Sequence, residues 1–268
     1  MKKDKFKIFP EVLLNELFAE YQLNINEDEL KTAFEKLKDA EISNDTFSFY
    51  TSVSVMASSK IEGEEMEIDS YVKHKMLQIE YLKNLTEKPN DLYQAYLFAQ
   101  KNELTSKNFL HTHTLLTKHL LPKNQQGICR KGNMVVMEHK TLKIQYEAPP
   151  ANEVKILFAN FWKDIEQLKK QSLTHQEVFY FAAVIHLIFV DIHPFNDGNG
   201  RAGRLLEKWF IAEKLGAKAW FVQSELNYYQ NINDYYKNLN NLGIFYEMLD
   251  YSKALPFLLM LPKSVLEK

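Results

Sequence analysis

Apolar residues recur every three or four positions through most of this chain, the spacing of a helix face. Residues 10–45 read as helices with charged outer faces, Glu27 to Leu37 most clearly. Phe49, Val53 and Met56 then share one face of a helix over 45–61, with Asp45 placed to cap it. DSYVKHKMLQIEYLKNL (69–85) and NDLYQAYLFAQKN (90–102) predict two more amphipathic helices, and LTSKNFLHTHTLLTKHLL (104–121) another, opening near Thr105 or Ser106. One segment breaks the rhythm. In GICRKGNMVVMEHKTLKIQYEA (127–148) β-formers alternate around His139-Lys140-Thr141, which predicts a hairpin, closed by Pro149-Pro150. A long helix over 151–170 follows. Thr174-His175-Gln176-Glu177 is a capping-box pattern opening the next helix, whose centre, Val178 to Val190, is apolar on all sides and therefore reads as buried. After a loop, Arg201 to Leu215 predicts a helix ended by Gly216. The fold class expected is mainly α, with one small β-hairpin.

Composition sharpens this. Glycine and proline number 8 each in 268 residues, about half the usual share, which favours long helices with short connections. The net charge of −2 gives no bulk attraction to nucleic acid or an anionic membrane, so neither is an expected partner. Cys129 is the only cysteine, so no internal disulfide can form. The apolar run at 178–190 is thirteen residues long and broken by His186, short of a membrane span, and the N-terminus lacks a signal-peptide pattern; a cytoplasmic location is expected. Arginine occurs only at 130, 201 and 204, against 30 lysines. Two clustered arginines in such a background suit a task needing a planar, bidentate fork; Arg130 alone could be a surface accident.

That pair closes the stretch His193-Pro-Phe-Asn-Asp-Gly-Asn-Gly-Arg-Ala-Gly-Arg204. A helix N-terminus offers unpaired N–H groups and partial positive charge to phosphate, and Gly198, Asn199 and Gly200 let backbone approach an oxyanion closely. Arg201 and Arg204, at i and i+3, can grip phosphate oxygens together. Asp197 is placed to hold Mg2+ shared with those phosphates, and His193 can take a proton from an incoming hydroxyl. His186, on the buried helix, reads as a satisfied core histidine; His111 and His113, two apart, face away from each other and make no metal pair. Gly198 to Gly203 also fits the dinucleotide pattern G-x-G-x-x-G, but no strand runs into the first glycine, which excludes that reading. The pairs Tyr228-Tyr229 and Tyr235-Tyr236 read as packing or as nucleotide contacts.

The twelve residues meet every fixed position of H-P-F-x-D/E-G-N-G-R-x-x-R, and here the chain resembles the Fic family. The likeness extends over about 100–260: GICR…VVM…YEAPP resembles that family's flap, which aligns a target segment by strand addition, and the region from Ala217 to Tyr236 resembles the part bordering the nucleotide base. The resemblance implies a Fic-type helical bundle, a core over 96–268 with a flap at about 127–148, and an N-terminal helical region over 1–95. It implies transfer of AMP from ATP, with Mg2+, to a Ser, Thr or Tyr hydroxyl of a target protein docked on the flap. His193 would be catalytic, Asp197 the metal ligand, and Asp197, Gly198, Asn199, Gly200, Arg201, Ala202, Gly203 and Arg204 with Tyr235 and Tyr236 the nucleotide site.

Ser58-Ser-Lys-Ile-Glu62-Gly63 resembles the family's inhibitory motif [S/T]-x-x-x-E-[G/N], carried on a helix at about 45–63. Ser58, Glu62 and Gly63 would then be regulatory, with Glu62 paired to Arg204 where the γ-phosphate would sit. Removal of AMP, another Fic-type transfer, a non-catalytic nucleotide-responsive module and a homodimer all remain compatible with these residues.

Overall fold

The computed structural model describes residues 6–44, 48–137 and 144–267. Its helices are α1 (Glu11–Leu14), α2 (Glu16–Asn24), α3 (Glu27–Glu35), α4 (Phe49–Ile61), α5 (Ile68–Leu77), α6 (Lys83–Lys101), α7 (Ser106–Leu116), α8 (Ala151–Lys169), α9 (His175–Ile192), α10 (Asn199–Leu215), α11 (Ser224–Gln230), α12 (Ile232–Asn240), α13 (Leu255–Leu258) and α14 (Met260–Leu266). Strands β1 (Val135–Met137) and β2 (Ile144–Glu147) pair antiparallel, with a register shift between Val136 and Met137. The mainly α class with a small hairpin is what the periodicity predicts. The turn at His139-Lys140-Thr141 lies outside the described residues, as does Asp45; the cap of α4 is not Asp45 but Ser48, whose hydroxyl accepts the Thr51 N–H next to the helix start at Phe49.

At the centre stands α9. Its capping box is complete: Thr174 Oγ1 accepts the Glu177 N–H, and the Glu177 carboxylate accepts the Thr174 N–H. The helix is long and apolar enough to cross a membrane by composition, with mean hydropathy 1.3 over 18 residues, because the window that passes extends beyond the thirteen-residue apolar run at 178–190. Because 83% of that window is buried inside the molecule, the core already covers its apolar surface. Against it lies α10, brought close by Gly203: a Cβ there would come within 3.2 Å of His186, Val190 and Phe189 atoms. One buried cluster runs from Phe9 to Val265, so the N-terminal helices and the later ones share a core. Asp164 accepts the N–H groups of Lys7, Ile8 and Phe9, and Glu27 accepts those of His175 and Gln176, fastening the N-terminal region to α8 and α9.

The helix expected to reach residue 121 ends at Leu116, and three further boundaries differ from expectation. The helix expected over 69–85 stops at Leu77, where Gln78 takes a left-handed φ of 55°, and a new helix starts at Lys83. That helix, begun seven residues ahead of the start expected at Asn90, runs through Pro89. The third concerns the signature: α10 begins at Asn199 rather than Arg201, with Gly198 (φ 78°) as its N-cap.

Candidate active site

The loop between α9 and α10 is held by its own residues and by braces from α7 and from the foot of the hairpin. His193 ends α9 in the left-handed region, φ 48°, a conformation that costs a non-glycine residue on the order of 1 kcal/mol. Its backbone is held from both sides: its N–H donates to Phe189 O, and its carbonyl accepts from Arg130 Nε at 2.8 Å. Phe195 is fully buried and stacks on His113, with ring centroids 3.6 Å apart. Asn199 closes the loop like a clasp, its Oδ1 accepting the Phe195 N–H at 2.9 Å and its Nδ2 donating to Phe195 O at 2.8 Å. Gly198 requires its missing side chain, since a Cβ would lie 2.9 Å from Leu116 and Thr117 methyls.

Two braces were not read from sequence. Arg130 is no surface accident: it is 1% exposed, and besides His193 O its guanidinium donates to Gly132 O and Pro149 O, tying the foot of the hairpin to the loop. His113 accepts the Gly127 N–H at Nδ1, so Nε2 carries the proton it donates to Asp197 O at 3.0 Å. Burial drops His113 to about 4, so it is neutral and keeps that tautomer near neutral pH.

At the reacting end, His193 Nδ1 lies 3.1 Å from Val190 O and therefore carries a proton, leaving the Nε2 lone pair to accept one. Burial, opposed by that bond and reinforced by Arg130, lowers His193 to about 4. It is an unprotonated base near pH 7. Asp197 is exposed and its Oδ1 accepts the Gly198 N–H at 2.6 Å. The first intrahelical bond of α10 is Ala202 N–H to Gly198 O, so the amides of Asn199, Gly200 and Arg201 make no helical bond, the arrangement that suits an anion at a helix start. The Ala202 amide is engaged in that bond and Gly203 faces α9, so neither presents a free group at the helix start.

Both signature arginines point to this helix start, and each meets a carboxylate. Arg204, 1% exposed, donates through Nη2 to Glu62 Oε1 at 2.6 Å and to Ser58 O at 3.1 Å, and through Nε to Ser58 Oγ at 2.9 Å. Burial alone would raise the Glu62 carboxyl, but Arg204 and then Arg201 outweigh it and hold it below the ordinary carboxylate value. Gly200 makes room for the pair, since a Cβ there would sit 2.3 Å from Glu62 Oε1. Gly63, φ 88°, turns the chain directly after it. Arg201 donates from Nη2 to Glu64 Oε1 at 3.2 Å, and Lys88 of α6 reaches the same oxygen at 2.9 Å. Glu64 was invisible within the acidic run at 62–67. Arg201 Nε is buried with no partner among the described residues, a donor waiting for an acceptor.

The ladder continues along α4: Lys208, one turn beyond Arg204, donates to Ser54 Oγ at 2.7 Å and to Glu225 Oε2 at 2.6 Å. The tyrosines are arranged differently from a base-binding face. Tyr235 is 2% exposed, packed in the core, and reaches the site only through its hydroxyl, which accepts from Arg204 Nη1 at 3.3 Å. Tyr236 is 42% exposed and donates to Ile61 O, the last carbonyl of α4.

A model of the Fic/DOC family matches residues 103–211. Curated relatives named protein adenylyltransferase Fic align with part of the chain: the one from Nematostella vectensis is 31% identical over 149 residues, 55% of this chain and 31% of its own length. That from Drosophila ananassae is 32% identical over 120 residues, 43% of this chain and 22% of its own. The chain thus spans less than a third of either relative's length. Among solved structures, a Fic family protein from Desulfovibrio desulfuricans superposes with TM-score 0.67 and 17% identity over 98% of this chain and 75% of that one. A Fic domain containing signaling protein from Bacteroides thetaiotaomicron gives 0.64 and 16% over 95% and 92%. Signature, fold and matched segment agree: this chain carries a Fic domain, of the Fic/DOC family, at residues 103–211.

Proposed function

We propose that this protein is a self-inhibited protein adenylyltransferase, moving AMP from ATP to a hydroxyl of a target protein. One observation carries the reading: beside an open amide cradle, the two arginines suited to a polyphosphate are held by Glu62 and Glu64, while Arg201 Nε still lacks an acceptor. A carboxylate on a guanidinium fork is the ground-state stand-in for a phosphate.

In the reaction, His193 Nε2 takes the proton of the target hydroxyl as its oxygen attacks the α-phosphorus. The new O–P bond forms as the bond from that phosphorus to the pyrophosphate oxygen breaks, and pyrophosphate leaves with the negative charge. The amides of 199–201 and Arg201 offset charge on the phosphoryl oxygens, and Arg204 would hold the γ-phosphate once Glu62 turns aside. No group of three or more His, Cys, Asp or Glu side chains among the described residues could hold a metal alone. The exposed Asp197 carboxylate is the hard oxygen donor that Mg2+ takes beside phosphates and water; it would supply one ligand, and the ion would neutralise phosphate charge.

A target segment would dock as a strand on β1. The far side of β2 is already engaged, Glu147 N–H donating to Ile244 O, whereas Val135 and Met137 on β1 are about half exposed.

The test is incubation with Mg2+ and ATP labelled at the α-phosphate. Glu62→Gly should raise labelling of protein well above wild type, and adding His193→Ala should abolish it. Equal labelling of wild type and Glu62→Gly would remove the brake; ATP binding by Glu62→Gly without transfer would leave a nucleotide-binding module in place of an enzyme.

A further inference from the structure

Arg204 is gripped from two directions. Its Nε and Nη2 face α4, through Ser58 and Glu62, whereas Nη1 faces the opposite way, to the Tyr235 hydroxyl on α12. Behind that hydroxyl lies a run of polar groups sealed from water. His186 Nε2 is 3.2 Å from Tyr235 Oη, and His186 Nδ1 is 2.8 Å from Glu207 Oε2, with His186 and Glu207 both fully buried. Tyr228 donates to the same Glu207 oxygen at 2.7 Å, while Glu207 Oε1 has no partner among the described residues.

The donor directions along this run are set by chemistry. A carboxylate can only accept, so His186 Nδ1 carries the proton that faces Glu207. In neutral imidazole Nε2 then has the lone pair and accepts the Tyr235 proton. Burial holds the Tyr235 hydroxyl up at about 12, so it keeps that proton to give. With its hydrogen turned toward His186, the Tyr235 oxygen presents a lone pair to Arg204 Nη1. Every link points the same way, from guanidinium to carboxylate, and each polarises the next.

Packing alone does not account for such a run. A buried carboxylate with one oxygen unpaired is costly, and apolar side chains of similar volume would fill the space at less cost. The run is also anchored apart from the brake: Glu207, His186 and Tyr235 sit on α10, α9 and α12, and their hydrogen bonds run to one another, to Tyr228 and to Arg204 rather than to Glu62.

We infer that Glu207, His186 and Tyr235 are positioning residues, a buried relay that keeps the Arg204 fork aimed at the terminal phosphate of a nucleoside triphosphate when Glu62 is withdrawn. The inference rests on the adenylyltransferase reading for the place of that phosphate, but binding tests it separately from transfer.

The experiment uses the full chain carrying Glu62→Gly, with Tyr235→Phe or Glu207→Gln added, and measures Kd for ATP and for ADP by calorimetry. Tyr235→Phe deletes one oxygen; Glu207→Gln keeps the shape but can reverse the relay. Both should weaken ATP about fivefold to tenfold while ADP stays within about twofold, because only ATP offers the phosphate that Arg204 would meet. Equal weakening of both nucleotides would mark the run as core packing and overturn the inference, as would an unchanged ATP Kd. If the Glu62→Gly parent binds ATP but labels no protein, the transferase reading falls while the ATP-to-ADP comparison still decides the relay. A parent that binds neither nucleotide overturns both.

Discussion

His193 and Asp191, two residues apart at the end of α9, are displaced from their ordinary acidities in ways that make opposite demands on pH. His193, lowered to about 4 chiefly by burial, is the neutral base throughout the range where a free histidine, at about 6.5, would be titrating. The acid limb of kcat/KM for Glu62→Gly should therefore lie well below pH 6, and a pH profile with its midpoint near 6.5 would contradict the geometry. Asp191 is pushed up to about 7 by burial, against the pull of its bond from Tyr251. A carboxyl raised in the folded state supports folding most below its unfolded value near 3.9, and that support is lost as pH rises through 7. Asp191→Asn should thus be more stable than wild type at pH 8, on the order of 2–4 kcal/mol, with the gap closing toward pH 4. Thermal melts across that range read the difference directly.

Among the elements, legibility followed whether partners were side chains or backbone. Thr174 and Glu177 announce α9 because both halves of a capping box are side chains. Arg130 and His113 stayed hidden because they hold the carbonyls of His193, Gly132, Pro149 and Asp197 and the amide of Gly127, and any residue type supplies those. The break at Gln78 was equally silent, since it comes without the glycine that usually marks a left-handed helix end. Asn199 and Gly203 were legible as motif positions but not as a loop clasp and a packing contact, because a signature fixes residue types without saying which face each presents. Replacing Arg130 by Met should take the donor from three carbonyls, of which Pro149 O is buried and those of His193 and Gly132 partly so. The expected cost is on the order of 3 kcal/mol, lowering Tm by about 5–10 °C, with labelling by the Glu62→Gly variant falling as the loop loosens. Gly203→Val should force α9 and α10 apart at a cost of about 2–3 kcal/mol, read as a lower Tm with the same far-ultraviolet helix signal.

Across the whole molecule, the N-terminal helices and the Fic domain are one folding unit, joined by the shared core, the Asp164 and Glu27 fastenings and the polar ladder from Ser54 to Glu64. Glu64 links the signature to Lys88 on α6, so Glu62→Gly leaves Arg201 still engaged. Adding Glu64→Gln to Glu62→Gly should tighten ATP about twofold to fivefold beyond the single change, and calorimetry giving equal Kd values would show that Arg201 competes for nothing. The placement of Glu62 has a consequence for speed. Ten of the thirteen α4 residues are buried, so lifting that helix would expose core, but Glu62 stands just past its last turn with its side chain 28% exposed. An incoming triphosphate would need to break one ion pair and turn one side chain rather than undock a segment, a smaller and faster motion than helix undocking. Such a gate would answer to nucleotide concentration as fast as nucleotide arrives, with the rest of the protein standing still.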